Sequence, residues 1–157
     1  MFKHHTIRVA GVAVFATALV GGVLTASASA GLAVPGDPLG LIAPGGANCE
    51  SAAAAYAAAG WTVIDGDDFA NVLIGGPGPD FIRAYAGNDD VDGLGGPDVL
   101  CLGKGDDRGQ GGNGNDAIYG QLHDDLEWGE AGDDYLDGGP NVDLCSGGPG
   151  FDTFFSC

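Results

Sequence analysis

From Gly75 onward, apolar and polar positions alternate with a period of nine, and the units read GGPGPDFIR, AYAGNDDVD, GLGGPDVLC, LGKGDDRGQ, GGNGNDAIY, GQLHDDLEW, GEAGDDYLD, GGPNVDLCS and GGPGFDTFF. Each unit joins a glycine-rich half to an aspartate at its sixth position and, in most units, an apolar residue at its eighth. A short run with an apolar centre, bounded by turn residues, predicts one brief strand per unit whose eighth residue faces a core. Residues 61–64 and 71–74 are β-prone runs in the same frame, with Asn71 at the aspartate position, so the array begins by Gly66 or earlier. Before them, residues 50–59 (ESAAAAYAAA) have high helix propensity, with Asn48 placed to cap the start and Gly60 to end it. So short a helix is marginal by itself in water. Two readings stand side by side: a lid over the open end of the array, or a loosely ordered Ala tract.

The sixth-position residues are Asp80, Asp89, Asp98, Asp107, Asp116, Asp125, Asp134, Asp143 and Asp152, without a miss. Of the 22 acidic residues 19 are Asp, against 5 Lys and Arg, and a surface made only for solubility would mix Glu with Lys. Asp is a turn former and a short-armed cation ligand. The acidic balance argues against nucleic acid and anionic membrane as partners and favours cations. Ca²⁺ takes roughly six to eight oxygens from carboxylates and carbonyls, which glycine-rich turns with one fixed Asp can present.

Residues 1–30 read as a secretory signal peptide. Lys3 and Arg8 make a positive start, residues 9–24 an apolar run too short to span a bilayer comfortably, and Ala28-Ser29-Ala30 a cleavage site after Ala30. Residues 31–60 form a Gly/Pro/Ala-rich linker with the helix candidate, and residues 61–157 the repeat array. The mature chain is therefore expected outside the cell, with no membrane span after leader removal.

These units are similar to the calcium-binding pattern G-G-x-G-x-D-x-U-x, and the region resembles the RTX (repeat-in-toxin, haemolysin-type calcium-binding) repeat family. The resemblance implies an all-β, right-handed parallel β-roll (β-helix) in which two nonapeptides make one coil. Ions then sit between turns eighteen residues apart. It pairs Asp80 with Asp98, Asp98 with Asp116, Asp116 with Asp134 and Asp134 with Asp152 on one edge, where every unit has Gly at its first and fourth positions. On the other edge Ala84 and Leu102 replace the first Gly, and His123 and Asn141 the fourth. Sites through Asp89, Asp107, Asp125 and Asp143 are expected to be fewer and weaker, with His123 marking a damaged turn and not a ligand.

The eighth positions of the first edge, Ile82, Leu100, Ile118, Leu136 and Phe154, make an unbroken apolar ladder, whereas the other edge carries Leu73, Val91, Gly109, Glu127 and Cys145. Glu127 is ill-suited to a dry interior, so its strand is expected to slip by one residue and turn Leu126 or Trp128 inward. Two large apolar side chains per coil make a thin core, and the resulting expectation is a chain that folds when calcium is present.

Four cysteines in an exported chain predict disulfides. Three pairings are open; Cys145 and Cys157 are close in sequence, which leaves Cys49 with Cys101. The repeats leave no room for a catalytic domain, and His123 is the only histidine after the leader, so no enzyme is expected. The alternative to a secreted calcium-binding protein is a cell-surface adhesion module in which calcium only rigidifies the scaffold and Phe81, Tyr119, Trp128 and Tyr135 form the contact surface. The sequence names no macromolecular partner.

Overall fold

The computed structural model describes residues 8–9, 12–13, 37–40, 42, 46 and 48–157. Of the expected leader only β1 (Arg8–Val9) and β2 (Val12–Ala13) are described, as an antiparallel pair, and the rest lies outside the described residues. One helix follows, α1 (Cys49–Ala58), then eleven strands: β3 (Thr62–Asp65), β4 (Val72–Ile74), β5 (Asp80–Arg83), β6 (Asp90–Asp92), β7 (Val99–Lys104), β8 (Arg108–Asn113), β9 (Ala117–Leu122), β10 (Leu126–Ala131), β11 (Tyr135–Asp137), β12 (Leu144–Ser146) and β13 (Thr153–Phe155).

Successive strands alternate between two parallel sheets, ordered β13-β11-β9-β7-β5-β3 and β12-β10-β8-β6-β4. Every parallel pair in them joins a residue to the one eighteen positions on, as in Ile82↔Leu100↔Ile118 and Val91↔Gly109↔Glu127. Two nonapeptides thus make one turn of a β-roll, and like positions stack in columns. Side chains alternate across a strand, so the eighth position of each unit points between the sheets. There Ile82, Val91, Leu100, Ile118 and the first-position Ala84 and Leu102 make a buried cluster flanked by Ile64 and Leu73.

A second cluster lies outside the six-stranded sheet. The seventh and ninth positions Phe81, Val99, Ala117, Cys101, Tyr119 and Tyr135 are buried against Ile42, Cys49, Ala52 and Tyr56. The Tyr56 ring stacks on Phe81 with centroids 4.3 Å apart and planes 8° from parallel. Asp37, fully buried, accepts hydrogen bonds from the Tyr56 hydroxyl (2.5 Å) and the Ile42 N–H (2.9 Å). Arg83 donates to Asp65 and to the Glu50 carbonyl, and Cys49–Cys101 bolts the helix to β7. The Ala-rich segment is therefore a helix, closed by Gly60 at φ 90° but entered without a side-chain cap bond from Asn48. It lies across a sheet face and is not a lid over an open end. Low helix propensity cost and a single aromatic knob suffice because the sheet supplies the apolar surface.

Two further expectations are corrected here. Phe81, Tyr119 and Tyr135 are not a contact surface, because they are buried in one cluster with Ile42 and with Cys49, Ala52 and Tyr56 of α1. Of the four aromatics offered for that role Trp128 lies on the other sheet, half-buried, with the Arg108 guanidinium 4.9 Å above its ring. Nor does the strand of Glu127 slip. Leu126, Glu127 and Trp128 pair with Arg108, Gly109 and Gln110 in the common register, and Glu127 is fully buried. A one-residue shift would cost β10 its ladder on both sides and misplace Asp125, which outweighs one buried acid.

Candidate metal centre

The aspartates stand in two columns, one at the entrance to each sheet. In both, an Oδ1 accepts a hydrogen bond from the backbone N–H of the residue eighteen positions earlier. One column runs Asp80→Asp98 (2.8 Å), Asp98→Asp116 (2.8 Å), Asp116→Asp134 (2.9 Å) and Asp134→Asp152 (3.1 Å). The other runs Asn71→Asp89 (2.7 Å), Asp89→Asp107 (2.7 Å), Asp107→Asp125 (2.9 Å) and Asp125→Asp143 (2.9 Å). Each carboxylate thereby ties two coils together, and its rotamer is fixed by the bond.

The second oxygen is left over. Oδ2 of Asp89, Asp98, Asp107, Asp116, Asp125, Asp134 and Asp143 is buried without a hydrogen-bond partner. Asp80 differs, because its Oδ2 accepts the Gly76 N–H at 2.5 Å. Buried polar atoms are nearly always satisfied, and a repeated orphan at one chemical position marks a missing partner. A cation would satisfy all of them at once, since every one of these oxygens is carboxylate.

Backbone oxygens face the same spots. A Cβ built on Gly75 would lie 2.6 Å from both Asp80 Oδ2 and the Gly93 carbonyl; on Gly93 it would meet Asp98 Oδ2 and the Gly111 carbonyl at the same distance. Gly75 and Gly93 therefore keep open a hollow lined by a carboxylate of one turn and a carbonyl of the next. Hard oxygens from two coils are the donor set that calcium requires, so the residues present fit the ion. Beside Asp89 and Asp107 the first position is Ala84 or Leu102, whose side chains belong to the buried apolar cluster. The aspartate geometry is the same in both columns, and the two edges differ in what stands at the first position.

The fourth position explains the other glycine. Gly105, Gly114 and Gly132 have φ between 139° and 150°, and a Cβ there would run into the carbonyl of the fourth-position glycine one coil earlier. His123 and Asn141 occupy this position at φ 86° and 112°, and the His123 N–H donates to Asn141 Oδ1 at 3.3 Å. The His123 turn is strained, and it is also damaged as expected: the fourth-position glycines Gly87, Gly96, Gly105, Gly114 and Gly132 donate their N–H to a carbonyl of the next coil, whereas the His123 N–H goes to a side chain.

Burial raises the carboxyl pKa values, to about 8 for Asp98 and Asp125, about 7 for Asp116 and about 6 for Asp107 and Asp134. The stacked N–H groups pull in the opposite direction and neighbouring carboxylates reinforce the rise. Asp89 and Asp143 are also raised by burial. One acid, Glu127, stood out in the sequence only as a misfit of the apolar ladder and not as a site residue. Burial, then repulsion from Asp125, Asp137 and Asp143, lifts Glu127 to about 9, with the Gly120 N–H opposing. The signal that could have found it is a Glu at an eighth position seven residues after a first-position Gly. The disulfides are Cys49–Cys101 and Cys145–Cys157, so no thiolate is available to a metal among the described residues.

A family model described as the RTX calcium-binding nonapeptide repeat (4 copies) matches residues 65–100, 103–126 and 128–154. No curated protein and no solved structure gives a significant match.

Proposed function

Because the chain belongs to the RTX calcium-binding nonapeptide repeat family, which accounts for more than half of its length, we propose that it is a secreted repeat protein whose roll forms when calcium enters between its stacked turns. The observation that carries this reading is the series of seven buried Oδ2 atoms without a donor. Asp98, Asp116 and Asp134, with the carbonyls of the first-position glycines, would hold ions on one edge; Asp125 and Asp143, beside Gly120 and Gly138, would do so on the other. Bound calcium supplies positive charge between carboxylates that otherwise repel one another in a low-dielectric setting.

Coupling to folding follows from where the ligands come from. Each site draws on two coils, so the unfolded chain contains none of them, and every ion bound shifts the equilibrium toward the roll. The thin core between the sheets leaves that shift decisive. Export fits the same chemistry, since extracellular calcium is abundant and an oxidising compartment maintains both disulfides. The role is binding and not catalysis. Far-UV circular dichroism tests it: β-structure should be weak in excess chelator at pH 8 and appear on addition of calcium. Full β-structure in chelator overturns calcium-dependent folding.

A further inference from the structure

Glu127 breaks the interior ladder of its sheet, where Leu73, Val91, Gly109 and Cys145 hold the equivalent places, and yet it is fully buried in unbroken register. Its Oε2 lies 3.3 Å from Cys145 Sγ, a disulfide sulfur with no proton to donate. Its Oε1 has no hydrogen bond of good geometry, although the Gly120 N–H lies near the carboxylate. That second oxygen points into the turn of the neighbouring column. Around the place a Cβ on Gly120 would take stand Asp125 Oδ2 at 2.5 Å, the Gly138 carbonyl at 2.6 Å and Glu127 Oε1 at 2.9 Å. The comparable hollows over Gly75 and Gly93 contain a carboxylate and a carbonyl within that range, with no third oxygen so close.

We infer that Glu127 is a ligand of the cation held at the Asp125 turn, reaching it from inside the roll. Two buried carboxylate oxygens, neither with a hydrogen bond of good geometry, converge there on a carbonyl, an arrangement that only a positive charge between them makes favourable. All three donors are hard oxygens, which suits Ca²⁺ and not a softer metal. On this edge the sequence joins an open first position to an acidic eighth position once. Ala84 and Leu102 put side chains at the first position of the two preceding turns of this edge, while Gly120 leaves it empty. The Cys145 sulfur of the Cys145–Cys157 bridge lies against the other oxygen of the Glu127 carboxylate. Glu127 thus converts a turn of the less regular edge into one with an added charged ligand.

This inference rests on the calcium reading, and one experiment separates the two. Calcium alone is titrated by calorimetry into the full, oxidised chain, with bound ions counted by native mass spectrometry, for wild type, Glu127→Gln, Glu127→Leu and Asp98→Asn. Gln keeps the shape of Glu127, and Leu restores the apolar residue usual on the ladder, so both preserve the fold. Each is expected to weaken one site by about tenfold or more, because ligand charge sets calcium affinity. The Asp98 variant should weaken different sites, and its effect should add to that of Glu127→Gln. If wild type binds calcium and Asp98→Asn loses affinity while both Glu127 variants titrate like wild type, Glu127 is a buried acid only and the inference is overturned. If wild type binds no calcium, the calcium reading falls and this inference with it.

Discussion

Leu102 occupies the space beside Gly109: a Cβ on Gly109 would lie 3.1 Å and 3.2 Å from the two Leu102 methyls and 3.1 Å from Ile118 Cγ2. One residue at a first position has taken over the volume that an eighth position supplies elsewhere in the roll. Leu102→Ala should therefore cost about 2–5 kcal/mol, as for a buried leucine whose cavity cannot collapse. Gly109→Val in the wild type should also destabilise, through overpacking. Combined, the two substitutions should do less damage than their sum, since valine fills the hole that alanine leaves. Thermal unfolding in saturating calcium measures all three; strict additivity would rule out the exchange of volume.

Asp116 separates the two jobs of a column carboxylate. Asp116→Asn retains an oxygen for the Asp98 N–H but loses charge on the Oδ2 side. The calcium midpoint of folding should move up by about tenfold, with folded secondary structure unchanged at saturation. Asp116→Ala also strands the buried Asp98 N–H, adding roughly 1–3 kcal/mol of instability that calcium does not restore. A calcium titration followed by circular dichroism distinguishes them, and identical behaviour of the two variants would refute the division.

Protons should stand in partly for calcium. Asp98, Asp116 and Asp125 have pKa values raised in the folded roll to between about 7 and 8, above their ordinary value of 3.8. The folded state thus binds more protons than the unfolded chain in this window, and its stability falls as pH rises from about 4 to 8. In excess chelator, β-structure should grow as pH is lowered from 8 toward 5. Calcium binding should show the opposite trend and tighten with pH, because each site must lose its protons. A chelator-treated chain whose β-content is flat from pH 8 to 5 would contradict the buried carboxyls described here.

His123 holds its turn at φ 86°, where a side chain costs about 1–2 kcal/mol. His123→Gly should raise stability in calcium by about 1 kcal/mol, somewhat reduced by the extra freedom glycine gives the unfolded chain. Differential scanning calorimetry checks the sign. A lower melting temperature would mean that the imidazole, which lies 2.9 Å from the Leu122 carbonyl, contributes more than the strain removes.

The nonapeptide rhythm is legible because it is strictly local: a turn, an aspartate and a strand in each unit, repeated so often that chance cannot imitate it. From the residues follow the column of aspartates at nine-residue spacing and the apolar ladder through Ile82, Leu100, Ile118 and Leu136, and from the family resemblance those residues carry follow the parallel roll and its eighteen-residue stacking. Three things required the folded chain. The place of α1 depends on Tyr56 meeting Phe81, a contact between an Ala-rich segment and a distant strand that no local pattern encodes. The register around Glu127 is a cooperative property of both neighbouring strands, which overrule the preference of one acid. Leu102 with Gly109, and Glu127 with Gly120, exchange volume or charge across the interior between the first and eighth positions of one unit. Periodicity fixes what each position of a unit usually does; packing decides where one position does the work of another.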